Sequence, residues 1–277
     1  MATTNFIPTI WSENLITALD KQYVGVANCN RDYEGDIKGK GSVVKICGVG
    51  SIAIGDYTKN TDLSSPQTLE DTVKTLITDQ AKCFNFQIDD IDRAQSSPKL
   101  MDAAMSNAAS ALAKQADKYV YSLVDYAGTS IYADGVSEND ILDNIIKARQ
   151  KLYENDVSDA HEVSIEVSPA IASLILKAKI ATATDNTDAL GSGCLGAIGG
   201  CKVYVTNNIQ LIEEEDMTYH QCLVRTKRAI AFAEQISEID AYRPEKRFAD
   251  AVKGLHLYGA SVVYPNELVA MNLGILK

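Results

Sequence analysis

Apolar residues recur along this chain with several different periods, and the changes of period mark its segments. Near the start, Trp11, Leu15 and Leu19 stand four positions apart, which predicts a short amphipathic helix over residues 12–21. From Asp36 to Tyr57 the texture changes. Glycines at 39, 41, 48, 50 and 55 separate the β-branched residues Ile37, Val43, Val44, Ile46, Val49, Ile52 and Ile54. Strand formers broken by glycine predict a long twisted hairpin or an open loop. Such a segment has too few large side chains for a core of its own, so its apolar residues are expected to lie on a partner. Two extended strands follow within residues 67–93, one marked by Val73, Leu76 and Ile77, the other by alternation from Phe84 to Ile88 and then Ile91.

Ser97-Pro98 opens a helical pattern that runs through Met101, Met105, Ala108, Leu112, Ala116, Val120 and Val124 until Gly128. At a rise of ~1.5 Å per residue this helix would be on the order of 40 Å long. A second helix, capped at Ser137, carries Ile141, Leu142, Ile145, Ile146 and Leu152. Glu162–Val167 alternates as a strand, and Ser168-Pro169 starts a third helix. The polar stretch 181–200 reads as a loop, Val203–Val205 as a strand, and Gln221–Phe232 as another. Ile236–Tyr242 is strand-like, Arg243–Gly254 a charged loop or bulge, and Leu255–Pro265 a strand holding Gly259. The order β, long α, α/β, β predicts an α+β fold of interleaved segments.

Composition narrows the function. Hydrophobic residues are 46% and charged residues 23% of the 277, the balance of an ordinary globular chain. Lys plus Arg number 26 against 37 Asp plus Glu, a net charge of −11. That sign repels phosphate backbones and argues against a nucleic-acid reader. No apolar run approaches the ~20 residues that span a bilayer, and the first residues lack a signal-peptide pattern, so a soluble cytoplasmic product with no membrane partner is expected.

Candidate chemistry is sparse. The six cysteines (Cys29, Cys47, Cys83, Cys194, Cys201, Cys222) form no C-x-x-C pair and are expected to be reduced. His161, His220 and His256 lack ligand-like neighbours in sequence. Gly191 to Gly196 matches G-x-G-x-x-G, but a polar run precedes it and a strand follows Gly199-Gly200, the wrong context for a phosphate-binding helix N-terminus. The carboxylates at Asp89, Asp90 and Asp92, and at Glu213 to Asp216, read as solvated faces. No nucleophile–base set emerges, and neither a metal, a cofactor nor a catalytic residue is expected.

The order of segments, with TLITDQAKCFNFQIDDIDRAQS leading into the long helix and TKRAIAFAEQI followed by YRPEKRFADAVKGLHLYGASVVYP leading back, resembles the major capsid proteins of tailed bacteriophages (the Hong Kong ninety-seven fold). That resemblance covers the whole chain. It implies an N-terminal arm (1–30), an extended β-loop (31–65), a peripheral domain with a spine helix (66–127 and 235–277) and an axial domain (128–234). It further implies assembly rather than catalysis, with the chain's partners being copies of itself in hexamers and pentamers, a separate scaffolding protein and a portal protein. The shell would enclose double-stranded DNA without reading its sequence, would be put together in the host cytoplasm and would end in the virion. Candidate inter-subunit contacts are Trp11 and Leu15 in the arm, Val43, Val44, Ile46, Ile52 and Ile54 in the loop, and Arg243 and Arg247 in the return. An encapsulin-type shell is the alternative of the same architecture, and a cytosolic enzyme the alternative of another class.

Overall fold

The structure is a computed structural model that describes residues 15, 18, 19, 22–34, 41–49, 54, 56, 59, 71–89, 100–157, 162–178, 194–246 and 248–277. Among these, three sheets and three helices alternate in an α+β order. The first sheet is a two-stranded ribbon. Strand β1 (Val43–Val49) pairs antiparallel with β2 (Asp71–Ile77), register Val43 to Ile77. Part of the expected loop is thus a strand, and its partner, β2, begins beyond the loop rather than inside it.

The second sheet has the order β10-β11-β3, with β3 at Gln80–Asp89, β10 at Ile230–Tyr242 and β11 at Ala249–Val262. Helix α1 (Leu100–Tyr121) lies against β11 and β3, followed by a 3-10 turn over Ser122–Tyr126. Its buried face is Met105, Ala109, Leu112, Ala113, Ala116 and Val120, the 3.6-residue stripe of the sequence with one polar member, Asp117. Tyr119 meets Tyr258 of β11 edge to face, centroids 5.6 Å apart. Gly259 is required by crowding: a Cβ there would sit 2.2 Å from the Ile77 carbonyl oxygen, so only glycine lets β2 lie this close to β11.

The third sheet has the order β4-β12-β9-β5-β7-β6, with β8 on the free part of β9. These strands are β4 (Thr129–Ala133), β5 (Val163–Val167), β6 (Cys194–Ile198), β7 (Cys201–Val205), β8 (Leu211–Glu213), β9 (Met217–Thr226) and β12 (Leu268–Leu276). Helix α2 (Ile141–Glu154) packs on β12, β4 and helix α3 (Pro169–Lys177). The expected helix–strand–helix run is present, and the Ser168 hydroxyl caps α3 by accepting from the Ile171 N–H.

Several expectations need correction. Helix α2 starts after Asp140, because Ser137 opens a turn in which the Asp140 N–H donates to the Ser137 carbonyl. The second part of the predicted loop 181–200 is strand β6. Gly199 and Gly200, at φ +55° and +86°, turn it tightly into β7, as a two-residue hairpin of that hand demands. The strand expected over 221–232 is two strands, β9 and β10, joined where the Ala229 N–H donates to the Thr226 carbonyl. The charged loop ends sooner than expected, since Ala249 and Ala251 are buried and already pair with β3. Finally, β12 pairs parallel with β4 and antiparallel with β9. Residues 268–276 therefore share a sheet with β4 and β9 rather than with β10 and β11.

Candidate assembly surfaces

Strand β10 organises the region where assembly contacts are expected, because successive side chains point to opposite faces. Ala231 and Ala233 face one way and, with Val263, bury Val44, Ile46 and Leu76 of the ribbon in a small apolar cluster. Phe232 and Glu234 face the other way, towards the arm. Phe232 touches Tyr23 edge to face and stacks on Tyr258. Glu234 Oε2 accepts from Tyr23 Oη at 2.5 Å and lies 2.8 Å from His256 Nε2, while Arg31 Nη2 donates to Oε1 at 2.8 Å. Burial works to raise the Glu234 carboxyl, but His256, Tyr23 and Arg31 outweigh it and hold it below its ordinary value. At the open edge of β10, the Asn30 N–H donates to the Ile230 carbonyl and the Asn30 carbonyl accepts from Phe232.

Between Tyr23 and Arg31 the arm turns through a 3-10 helix, Val26–Asn28, and a second polar cluster grips it. Arg225 of β9 and Glu166 of β5 form a wholly buried ion pair with two contacts, 2.8 and 3.2 Å. The remaining guanidinium hydrogens donate to the Gly25 carbonyl at 2.7 Å and the Asn28 carbonyl at 2.9 Å, and Asn28 Nδ2 donates to Glu166. Each buried charge is therefore met by several partners, the condition under which such a pair is tolerated. From the helix side, the Asp117 carboxylate accepts from the Val24 and Val26 N–H groups at 3.2 and 3.0 Å. Burial pushes Asp117 up to about 6 despite those two amides. One short segment, residues 23–31, thus ties the β10-β11-β3 sheet, the long helix and the sheet of β5 and β9 together.

The candidate contact residues separate accordingly. Leu15 is helical and 1% exposed, inside the main core. Val44 and Ile46 are each 6% exposed and buried by the chain's own β10 and Val263, which corrects the expectation that a neighbour buries them. The alanines of β10 are what sequence reading missed, since small residues 187 positions from Val44 and Ile46 carry no local signal. Val43 (53%) and Ile54 (95%) are exposed. With Val43, the residues Lys45, Val73, Thr75 and Ile77 make up the solvent side of the ribbon, Val43 opposite Ile77 and Lys45 opposite Thr75. Arg243 is mostly exposed and pairs with Asp250 at 3.2 Å. In the same turn Phe248 is 84% exposed, a residue that the charged reading of that turn passed over. Trp11, Ile52 and Arg247 lie outside the described residues.

No group of three or more His, Cys, Asp or Glu among the described residues is arranged to hold a metal ion. No described helix is long and apolar enough to cross a membrane. Cys29, Cys83, Cys194 and Cys222 are free thiols.

No protein-family model and no curated protein sequence matches the chain. Solved structures do. A structure from Mycobacterium phage Che8 is 28% identical with a TM-score of 0.70, over 90% of this chain and 91% of the other. The capsid of the cyanophage P-SCSP1u matches at 13% identity and TM-score 0.67, over 89% and 86%. A virus-like particle from Pyrococcus furiosus matches at 11% identity and TM-score 0.57, over 97% and 100%. The long helix, the ribbon and the two larger sheets, together with these likenesses, place the chain in the fold of the tailed-bacteriophage major capsid proteins.

Proposed function

We propose that this chain is the major capsid protein of a tailed phage, self-assembling as hexamers and pentamers into an icosahedral shell around double-stranded DNA. The observation that carries this reading is the likeness to the Che8 structure, which extends over nine-tenths of both chains at 28% identity. Its role is structural, without catalysis or cofactor. The ribbon supports it physically: one face is satisfied by the chain itself, while Val43, Val73 and Ile77 stay in solvent until another surface covers them. The phage reading is preferred to a cellular compartment because the virus-like particle matches less well on both identity and TM-score. Arm, loop, peripheral and axial units are proposed as drawn from the sequence, with residues 268–276 moved to the axial unit. A separate scaffolding protein and a portal belong to the same reading, as do assembly in the host cytoplasm and residence in the virion.

The net charge of −11 suits a container for DNA, since wall and contents repel. Negative-stain electron microscopy of the expressed protein is expected to reveal closed shells of uniform diameter, and purified subunits should not bind duplex DNA at physiological salt. A protein that stays monomeric at every concentration would overturn the shell, and micromolar DNA binding would overturn the passive container.

A further inference from the structure

The axial sheet carries two exposed apolar patches with opposite electrostatic surroundings. On α2, Ile146 and Tyr153 are 52% and 42% exposed, and with Arg149, Gln150 and Glu154 they line an open groove of about 620 Å³. Arg149 lies over the Tyr153 ring, 5.2 Å from its centroid, and donates to its hydroxyl. Lys147 and Lys151 are exposed beside the groove. The unburied ionic positions of α2 hold three cations (Lys147, Arg149, Lys151) against two carboxylates (Asp143, Glu154), a positive balance on a chain whose total is −11.

The other patch is the β8–β9 hairpin. Leu211 (53%) and Ile212 (46%) project from β8, and Glu213, Glu214, Glu215 and Asp216 follow, all exposed. Strand β8 bonds to β9 by three residue pairs, and the hairpin's tip is braced by Lys277, whose Nζ donates to the Glu214 carbonyl and whose N–H donates to the Asp216 carbonyl. Two apolar side chains backed by four carboxylates are therefore held in a defined shape.

We infer that the β8–β9 hairpin of one copy docks in the α2 groove of the next copy, Leu211 against Ile146 and Tyr153, with Glu213 on the same face of β8 and the acidic tip beside Lys147 and Lys151. A hairpin meeting its own symmetry mate would set four carboxylates against four, and two α2 faces would set cation against cation. Like-with-like contacts are thus opposed, and the complementary one is head to tail, the kind that closes rings. The inference rests on the shell reading and names a contact inside its rings.

Two double variants test it, Glu213→Lys with Glu214→Lys and Lys147→Glu with Lys151→Glu, together with the fourfold combination. All four side chains involved are exposed, and the surface ion pair broken, Lys151 with Glu154, is worth little, so circular dichroism and the melting temperature should stay close to those of the parent chain. Size-exclusion chromatography with light scattering is expected to find particles for the parent, none for either double variant, and their return in the combination, where the charges are exchanged but still opposite. Particles from every variant would overturn the hairpin–helix contact and leave the shell standing, as would a combination that fails to regain them. Absence of particles from the parent itself would overturn the shell reading beneath it.

Discussion

The arm and the ribbon lean on opposite faces of the same strand, β10, and are held by different means. The arm adds charge and hydrogen bonds to the core burial of Leu15, Leu19, Tyr23 and Val26: Glu234 collects Tyr23, His256 and Arg31, while Arg225 and Asp117 take the backbone between them. Among the described residues the ribbon rests on β10 through apolar burial, Val44, Ile46 and Leu76 on Ala231, Ala233 and Val263. The polar anchor is finished within the chain. The apolar one is finished on one side only, with Val43, Val73 and Ile77 outside. Directional bonds fix one arrangement and fail sharply when a partner is lost, whereas an apolar face can change what covers it. A shell subunit needs both: an arm that holds its units in register, and a ribbon whose outer face is free for a neighbour.

The largest effect should come from breaking the polar anchor. Arg225→Met leaves Glu166 buried without its cation and is expected to cost about 3–5 kcal/mol, read as a loss of melting temperature. Adding Glu166→Gln should restore part of it, because a neutral amide replaces a stranded charge. Next comes the inner face of the ribbon. Val44→Asp buries an unpaired carboxylate and should cost about 3 kcal/mol in the isolated subunit. A folded, fully stable Val44→Asp subunit would mean that the ribbon does not rest on β10. Gly259→Ala forces a methyl group into the Ile77 carbonyl. A loss of about 1–3 kcal/mol is expected, with increased hydrogen exchange in β2 as the specific sign that ribbon and sheet have parted.

The smallest effect is a pH dependence. Asp117 is pushed up to about 6 in the folded chain from an ordinary value of 3.8. A raised carboxyl binds its proton more tightly when folded, so its contribution to stability is full below pH ~3.8 and is lost as pH rises through about 6. Asp117→Asn keeps one acceptor oxygen, enough for the Val26 N–H, and removes that titration. Denaturant unfolding between pH 4 and 7 should therefore slope less in the variant than in the parent. An unchanged slope would move the titration elsewhere. Glu234 is held low and acts in the reverse sense, losing its contribution only on acidification below its ordinary value of 4.5, at the acid end of this window.

Much of the fold could be read from local pattern. The stripe from Met105 to Val120, the alternation from Phe84 to Ile88 and the Ser168-Pro169 start each depend on near neighbours, and each element stands where its pattern predicts. What escaped depends on distant residues or on side chains that give no period. Strand β12 is buried on both faces from Leu268 to Gly274, so it shows no alternation to detect. Gly199-Gly200 is a hairpin signal that was absorbed into a polar loop because the residues before it are polar. Arg225 and Glu166 sit 59 positions apart in otherwise strand-like runs, and only the pairing of β5 with β9 brings them together. The strand character of the ribbon was legible in its β-branched residues between glycines, but not its two faces. Which face the chain itself would cover depended on Ala231 and Ala233, whose smallness reads as nothing in particular until the sheet is built.

The central claim is that the ribbon's outer face, unlike its inner one, is reserved for another subunit. Val43→Asp combined with Ile77→Asp places two carboxylates opposite each other on that face, where solvent reaches both. The variant should melt close to the parent chain and remain a soluble subunit that forms no shells under the electron microscope. Shells of normal size and yield from this variant would contradict the account.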